Sequence, residues 1–118
     1  MNQQCEPRYL READADLSAL ENRNVVIVGY GNLGRPLALN LRDSGVSSVT
    51  VAEIPGPAWD VALEDGFPVK PVQAAAPHAS ILFVLLSDEL APEIYKKEIA
   101  PFLITGSTVV FASGFNLA

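Results

Sequence analysis

Short apolar runs alternate with longer amphipathic segments along most of this chain. The apolar runs have the length and the β-branched content of buried strands, and they lie at residues 24–28, 48–52, 81–86 and 107–112, with a shorter strand at 68–70. The segments between them place apolar side chains at helical spacing, at residues 33–44, 59–65, 72–78 and 91–100. This alternation predicts an α/β fold with a doubly wound parallel sheet of about five strands, in the order 3-2-1-4-5.

The domain organisation is predicted to be simple. At 118 residues the chain has the length of one domain. Residues 1–12 are expected to form an N-terminal arm and residues 13–118 the folded domain. Asp14 or Asp16 is expected to cap a short helix that runs through Leu20. The continuous apolar run at 81–86 predicts a strand that is covered on both faces of the sheet.

Three glycines follow the first strand in the spacing G-x-G-x-x-G, and an amphipathic helix follows them. Gly29 permits a tight turn, Gly31 lets the backbone approach a pyrophosphate, and Gly34 lets the helix pack close to the strand. The motif thus predicts a Rossmann-like domain that binds a dinucleotide cofactor with these glycines and with Tyr30, Asn32, Leu33 and Arg35. A turn kept only for packing is the alternative, and Arg35 is equally consistent with a surface position.

The end of the second predicted strand carries an acid. Glu53 lies 19 residues past Gly34, where a carboxylate accepts hydrogen bonds from an adenosine ribose and repels a 2′-phosphate. Ile54 begins the next loop, IPGPAW, which has no basic or hydroxyl residue. These residues favour NAD over the alternative, NADP, unless Glu53 merely faces solvent. Trp59 ends the loop, and either packing or contact with an adenine fits it.

The carboxyl ends of the fourth and fifth strands complete the predicted site. Leu85, Leu86 and Ser87 follow strand four, where such folds hold the nicotinamide half of the ligand. The alternative is that Ser87 or Asp88 caps the next helix, which Pro92 just beyond supports. Ser113 and Gly114 follow strand five, with Ser113 as a polar lining of the nicotinamide site. No base is identified beside Ser113, and the catalytic residues stay unknown.

Charge and composition limit the classes of partner that this chain is expected to bind. With 14 acidic against 8 basic residues, the net charge of −6 argues against a nucleic acid or an anionic membrane as a partner. Cys5 is the only cysteine and the N-terminus lacks the apolar core of a secretory signal, so the expected compartment is the cytoplasm. The only histidine, His78, is expected to be solvated. The sequence has no set of His, Cys, Asp and Glu residues at the spacing of metal ligands, so we predict no metal site.

Between residues 13 and 118 the chain contains six motifs in order: ADADLSALENRNVVIVGYGNLG, ALNLRDSGV, EDGFPV, LLSDE, YKKEIAPFL and ASGFNLA. They resemble the N-terminal, cofactor-binding part of ketol-acid reductoisomerase, also called acetohydroxy-acid isomeroreductase, and the resemblance covers nearly the whole chain from about Tyr9. The resemblance implies a short stand-alone homologue that binds NAD(P)H and reduces a small carbonyl or imine substrate. A non-catalytic nucleotide-binding subunit or sensor is the alternative, and a fragment of a longer enzyme is a third.

The sequence differs from the family's pattern in two respects, and each difference leads to an expectation. Members of the family that this sequence resembles also have a helical domain, which supplies magnesium ligands. Those ligands have no counterpart in this sequence. The resemblance also places Ser113 where the family's H-G-F-N motif has histidine. We therefore expect no magnesium site in this chain and no magnesium-dependent isomerisation. Because the fifth strand is expected at a sheet edge, a homodimer or a partner subunit is expected to cover the nicotinamide side.

Overall fold

A computed structural model describes residues 7–112. Its centre is one sheet of five parallel strands in the order β3-β2-β1-β4-β5. The strands are β1 (Val25–Val28), β2 (Val49–Ala52), β3 (Val69–Lys70), β4 (Ile81–Val84) and β5 (Thr108–Phe111). The predicted α/β class, the Rossmann-like doubly wound sheet and its strand order are confirmed.

Helices cover the sheet from both sides. Two of them, α1 (Gly34–Asp43) and α2 (Pro57–Glu64), lie on one face over β1, β2 and β3. The other face carries α3 (Val72–Ala75), which continues as a 3₁₀ turn over Ala76–His78, and α4 (Ala91–Ile94). This alternation of sides follows from right-handed crossovers between parallel strands on either side of β1.

Two helices depart from a uniform α-helix where prolines interrupt them. After α4 the chain winds as a π-helix over Tyr95–Ile99 and then as a 3₁₀ turn over Ala100–Phe102. Pro101 has no N–H, so it cannot donate the usual hydrogen bond to the carbonyl four residues earlier. Pro77 lies in the 3₁₀ turn that ends α3.

The segment before β1 forms two short 3₁₀ helices, Glu12–Asp14 and Leu17–Leu20. Of the two predicted caps for the helix ending at Leu20, Asp16 is the one observed, since its Oδ1 accepts from the Ser18 N–H at 2.9 Å. That hydrogen bond holds the pKa of Asp16 below its ordinary value.

The core is complete over β1 and incomplete over β4. All four residues of β1 are buried, because helices cover both faces there. The expectation that β4 is covered on both faces is wrong: Leu82 and Val84 are buried, but Ile81 and Phe83 are only half-buried. The reason is that α1 and α2 lie over β1, β2 and β3, and within residues 7–112 no further helix covers β4 on that side.

Candidate functional site

The carboxyl ends of β1 and β4 meet at the first glycine of the turn. The Gly29 N–H donates to the Ala52 carbonyl at 3.0 Å, and the Leu85 N–H donates to the Val28 carbonyl at 2.9 Å. Gly29 has φ +96°, and a Cβ on it would lie 3.0 Å from the Leu85 carbonyl oxygen. Both the left-handed conformation and the close approach require glycine here. The predicted turn therefore lies where the strand order reverses, between β1 and β4.

The other two glycines of the turn have opposite surroundings. A Cβ on Gly34 would overlap the carbonyl oxygen of Gly29 and lie 2.9 Å from its carbonyl carbon, so α1 packs directly onto the turn. A Cβ on Gly31 would meet no atom within 4 Å. Gly34 thus serves packing inside the protein, whereas the open space at Gly31 is what the approach of a phosphate requires.

The first turn of α1 presents backbone donors beside Gly31. The helix begins without a side-chain cap, and its first hydrogen bonds run from Arg35 N–H to Gly31 O and from Leu37 N–H to Leu33 O. Within residues 7–112, the N–H groups of Asn32 and Leu33 donate to no protein acceptor. Such amides at the positive end of a ten-residue helix favour an anion.

Glu53 joins the end of β2 to the glycine turn. One of its carboxylate oxygens, Oε2, accepts from the Tyr30 N–H at 2.9 Å, and Oε1 accepts from the Ile54 N–H at 3.0 Å. An ionised carboxylate oxygen accepts more than one hydrogen bond, so each has capacity left for a ligand hydroxyl. The carboxylate therefore lies beside the glycine turn in a fixed orientation, which sequence spacing alone does not establish.

The Tyr30 side chain points away from the turn and into the layer between the sheet and α2. It is only 4% exposed, and its ring meets Phe67 edge-on with centroids 5.9 Å apart. The hydroxyl donates to Asp65 Oδ2 at 2.6 Å. Burial, reinforced by the Asp65 carboxylate, raises the pKa of Tyr30 to about 12, so the phenol remains a donor at neutral pH. Only the backbone of Tyr30 faces the candidate site.

Arg35 lies at the start of α1 and is paired with the same carboxylate. Its Nε donates to Asp65 Oδ2 at 2.9 Å, and a second guanidinium nitrogen donates to Oδ1 at 3.3 Å. The hydrogen bonds from Arg35 and then from Tyr30 hold the pKa of Asp65 below its ordinary value. For Arg35 to contact a ligand phosphate, as the sequence suggests, it would have to exchange this ion pair for the phosphate.

Sequence reasoning missed the residues that hold the turn against α2. Asp65 accepts from Arg42 through its main-chain carbonyl, and the Arg42 guanidinium lies 4.4 Å above the Phe67 ring. Asp65 is 35 residues from Tyr30, so no local spacing connects them. The available signal was the tyrosine hydroxyl itself, because a buried Tyr needs a hydrogen-bond partner.

The remaining predicted site residues fall into three groups. Leu85 and Leu86 lie against the turn, since a Cβ on Gly29 would be 3.2 Å from Leu86 Cδ2. Ser87 contributes its carbonyl, which accepts from the Leu90 and Ala91 N–H groups, and α4 begins without a side-chain cap. Of the predicted pair, Ser87 or Asp88, Ser87 thus accepts at the start of this helix through its main-chain carbonyl. Ser113 and Gly114 lie outside the described residues.

No group of three or more His, Cys, Asp or Glu side chains within residues 7–112 is arranged to hold a metal ion. In the same part of the chain, no helix is both long enough and apolar enough to cross a membrane.

Comparison with known proteins identifies relatives over nearly the whole chain. Residues 19–118 match the model of the acetohydroxy acid isomeroreductase NADPH-binding domain. A ketol-acid reductoisomerase (NADP(+)) of Tremblaya princeps is 44% identical over 93% of this chain, and one of Methanocaldococcus jannaschii is 36% identical over 90%. The aligned regions are 33% and 32% of those proteins, so the chain spans about a third of their length.

Solved structures agree with this relationship. An NADH-preferring ketol-acid reductoisomerase from an uncultured archaeon superposes with a TM-score of 0.88 at 37% identity, over 92% of this chain and 34% of that one. An imine reductase from Pseudomonas shares the fold, with a TM-score of 0.65 at 18% identity over 77% of this chain and 32% of that one. The order of motifs, the strand order around the glycine turn and these matches lead to one conclusion: the chain belongs to the ketol-acid reductoisomerase family and corresponds to its N-terminal, NADPH-binding domain.

Proposed function

We propose that this chain binds a nicotinamide dinucleotide across the carboxyl ends of β1, β2 and β4, with the pyrophosphate over the start of α1. The observation that carries the proposal is the open space at Gly31. Beside it are the N–H groups of Asn32 and Leu33, which donate to no protein acceptor within residues 7–112. That arrangement fits a phosphate, because the backbone can approach the ligand closely without a side chain in between. The family membership supports the same ligand class.

The rest of the cofactor follows from the positions of the strands. Glu53 holds the adenosine ribose through the free acceptor capacity of its carboxylate. Leu85, Leu86 and Ser87, at the end of β4, lie on the nicotinamide side, with Ser113 and Gly114 assigned there by sequence order. When bound, a reduced nicotinamide supplies hydride, so the protein's part is to hold the ring and a substrate in register.

The reaction we propose is reduction of a small carbonyl or imine without magnesium-dependent isomerisation. Its support is the likeness to ketol-acid reductoisomerases, together with the expectation from the sequence that the family's magnesium ligands have no counterpart in this chain. The alternative is a subunit or sensor that binds the cofactor without turnover, favoured by Ser113 in place of the family's histidine. Oxidation of the reduced cofactor, measured with and without Mg²⁺ on keto acid and imine substrates, distinguishes a reductase from a binding subunit, which would give no turnover.

We expect NADH to bind more tightly than NADPH, by about tenfold, because the Glu53 carboxylate repels a 2′-phosphate. The single tryptophan, Trp59, follows Gly56 in the first turn of α2 and reports binding by energy transfer to the dihydronicotinamide. Glu53→Gln is expected to remove most of the discrimination while keeping the shape of the side chain. Fluorescence titrations with each nucleotide measure both effects.

Glu64→Gln is the matched control, since it removes the same charge from the exposed far end of α2. It should leave the ratio of the two dissociation constants unchanged. Tighter binding of NADPH to the unaltered protein would contradict the role given to Glu53 alone. Lack of saturable binding by either nucleotide, checked by calorimetry, would refute the proposed function itself.

We further propose that a second copy of the chain pairs with the outer edge of β5. Within residues 7–112 no strand occupies that edge, and β5 exposes Thr108 and Val110 on the side where β4 is half-covered. Open edges invite pairing, and antiparallel pairing of β5 with its copy about a twofold axis closes both edges at once. Such a dimer would extend the sheet and place the two candidate sites at its opposite edges, because the strands of the two copies run in opposite directions.

The expected solution mass is therefore twice the 12.6 kDa of one chain. Val110→Lys should yield monomers, because it places a charge on the exposed face of the proposed interface. Leu63→Lys, at another exposed apolar position on α2, should remain dimeric. Light scattering coupled to size-exclusion chromatography decides the matter, and a monomeric unaltered protein would refute the dimer.

A further inference from the structure

A polar cavity of about 200 Å³ lies on the α3 side of the sheet. Its wall includes five polar side chains and two apolar ones: Asn24, Ser48, Thr50, Lys70 and His78, with Val26 and Ala75. Asn24 and Ser48 lie at the amino-terminal ends of β1 and β2, whereas Lys70 ends β3 and its carbonyl accepts from the Glu53 N–H at 3.1 Å. The Gly29–Gly34 turn is not part of the wall, so the cavity is defined without reference to the proposed function.

The charge of the wall is opposite to that of the protein. Lys70 is the cationic residue of the wall, and no Asp or Glu lines it, although the chain has 14 acidic and 8 basic residues. Among the described residues, Lys70 forms no ion pair, since the salt bridges join Arg35 to Asp65 and Lys97 to Glu93. Its ammonium group is available for an anion.

Hydrogen-bond donors in the wall also lack acceptors. The Ser48 hydroxyl donates to Asn24 Oδ1 at 2.9 Å, which leaves the Asn24 side-chain N–H groups without an acceptor among residues 7–112. The Thr50 hydroxyl has no hydrogen-bond partner in the same part of the chain, although it is half-buried on an inner strand beside Val26. Both groups can therefore donate to a molecule that enters the cavity.

We propose that this cavity is a binding site for a small oxyanion, of the size of inorganic phosphate or a short carboxylate. Lys70 supplies a charge-assisted donor, and the His78 imidazole, the Thr50 hydroxyl and the Asn24 amide supply further donors. The volume accommodates a compact anion together with water, and it is too small for a dinucleotide. The shared chemistry is an oxygen anion that accepts several converging hydrogen bonds.

The single histidine makes the site directly observable. Because His78 is the only histidine in the chain, its imidazole NMR resonances are assigned without ambiguity. We expect those resonances, and the Thr50 and Lys70 amides, to shift saturably when sodium phosphate is added to the full chain at constant pH and ionic strength. A parallel titration with sodium acetate distinguishes a phosphate site from a carboxylate site, and saturation by either supports the proposal.

Lys70→Met is expected to weaken the apparent affinity by about tenfold, since it removes a charge-assisted hydrogen bond. Lys96→Met is the matched control, because it removes the same charge from an exposed position on the π-helical turn. Thr50→Val should weaken binding without lowering thermal stability, since its hydroxyl has no partner to lose. Gly31→Ala should leave the response intact, which separates this site from the cofactor site.

Two results would overturn the proposal. One is a response that rises linearly with concentration for every salt, sodium chloride included, because that is the behaviour of ionic screening. The other is a saturable response that Lys70→Met and Lys96→Met leave equally unchanged, because the anion would then be bound elsewhere.

Discussion

A Gly34→Ala variant is expected to lose about 3 kcal/mol of folding free energy, at or above the upper end of ordinary overpacking effects. The added methyl group would overlap the carbonyl oxygen of Gly29 and lie 3.4 Å from Ile27 Cγ2. The nearest obstacle is backbone, so no side chain can rotate to make room. The turn and the start of α1 must separate instead.

That separation also changes the candidate site, since the Asn32 and Leu33 amides lie between the two glycines. We therefore expect Gly34→Ala to lower the midpoint of thermal unfolding by about 10 °C or more and to weaken dinucleotide binding in the same variant. Differential scanning calorimetry measures the first effect and the Trp59 titration the second. A variant as stable as the unaltered protein would show that α1 does not pack onto the turn as described.

The glycine turn was predictable because its causes are local. A β-branched run, three glycines at fixed spacing and an amphipathic helix each restrict the backbone over a few residues, and together they indicate β1, the turn and α1. The spacing also assigned separate roles to Gly29, Gly31 and Gly34. The surroundings of a Cβ at each position agree with those roles: contact with the Leu85 carbonyl, open space, and overlap with the turn.

The features that sequence reasoning missed depend on distant parts of the chain. An apolar run predicts that β4 is buried, but only the positions of α1 and α2 determine that Ile81 and Phe83 are half-covered. Likewise, the spacing predicts an acid at Glu53 without predicting that Tyr30 N–H donates to it. The contact between Tyr30 and Asp65 arises from tertiary packing, and no pattern within either segment contains it.

The combination of local and distant contacts gives the turn two kinds of support. From the sheet side, Gly29 is fixed by the ends of β2 and β4, and from the helix side the Tyr30 side chain is fixed by Asp65 and Phe67. Anion-binding amides are effective when their positions are fixed before the ligand arrives, because little ordering then remains to be done on binding. Gly31 is the residue of the turn that faces open space, which makes it the sharpest probe of the ligand.

Gly31→Ala is expected to weaken dinucleotide binding by about 100-fold while leaving the fold unchanged. A Cβ at this position meets no protein atom within 4 Å, and φ does not lie in the left-handed region, so alanine is tolerated in the free protein. Its thermal stability should stay the same or rise slightly, since alanine restricts the unfolded chain. The methyl group instead occupies the space through which a pyrophosphate approaches the Asn32 and Leu33 amides.

Gly45→Ala provides the matched control, with the opposite pattern of effects. Gly45 follows the carboxyl end of α1, has φ +95°, and likewise leaves a Cβ in open space. Alanine there is strained by about 1–2 kcal/mol, so stability should fall while the dissociation constant for NADH stays unchanged. Paired calorimetry and fluorescence titrations on the two variants separate loss of fold from loss of ligand space. Equal NADH affinity in Gly31→Ala and the unaltered protein would mean that the phosphates do not lie over this turn, and the glycine motif would then serve packing alone.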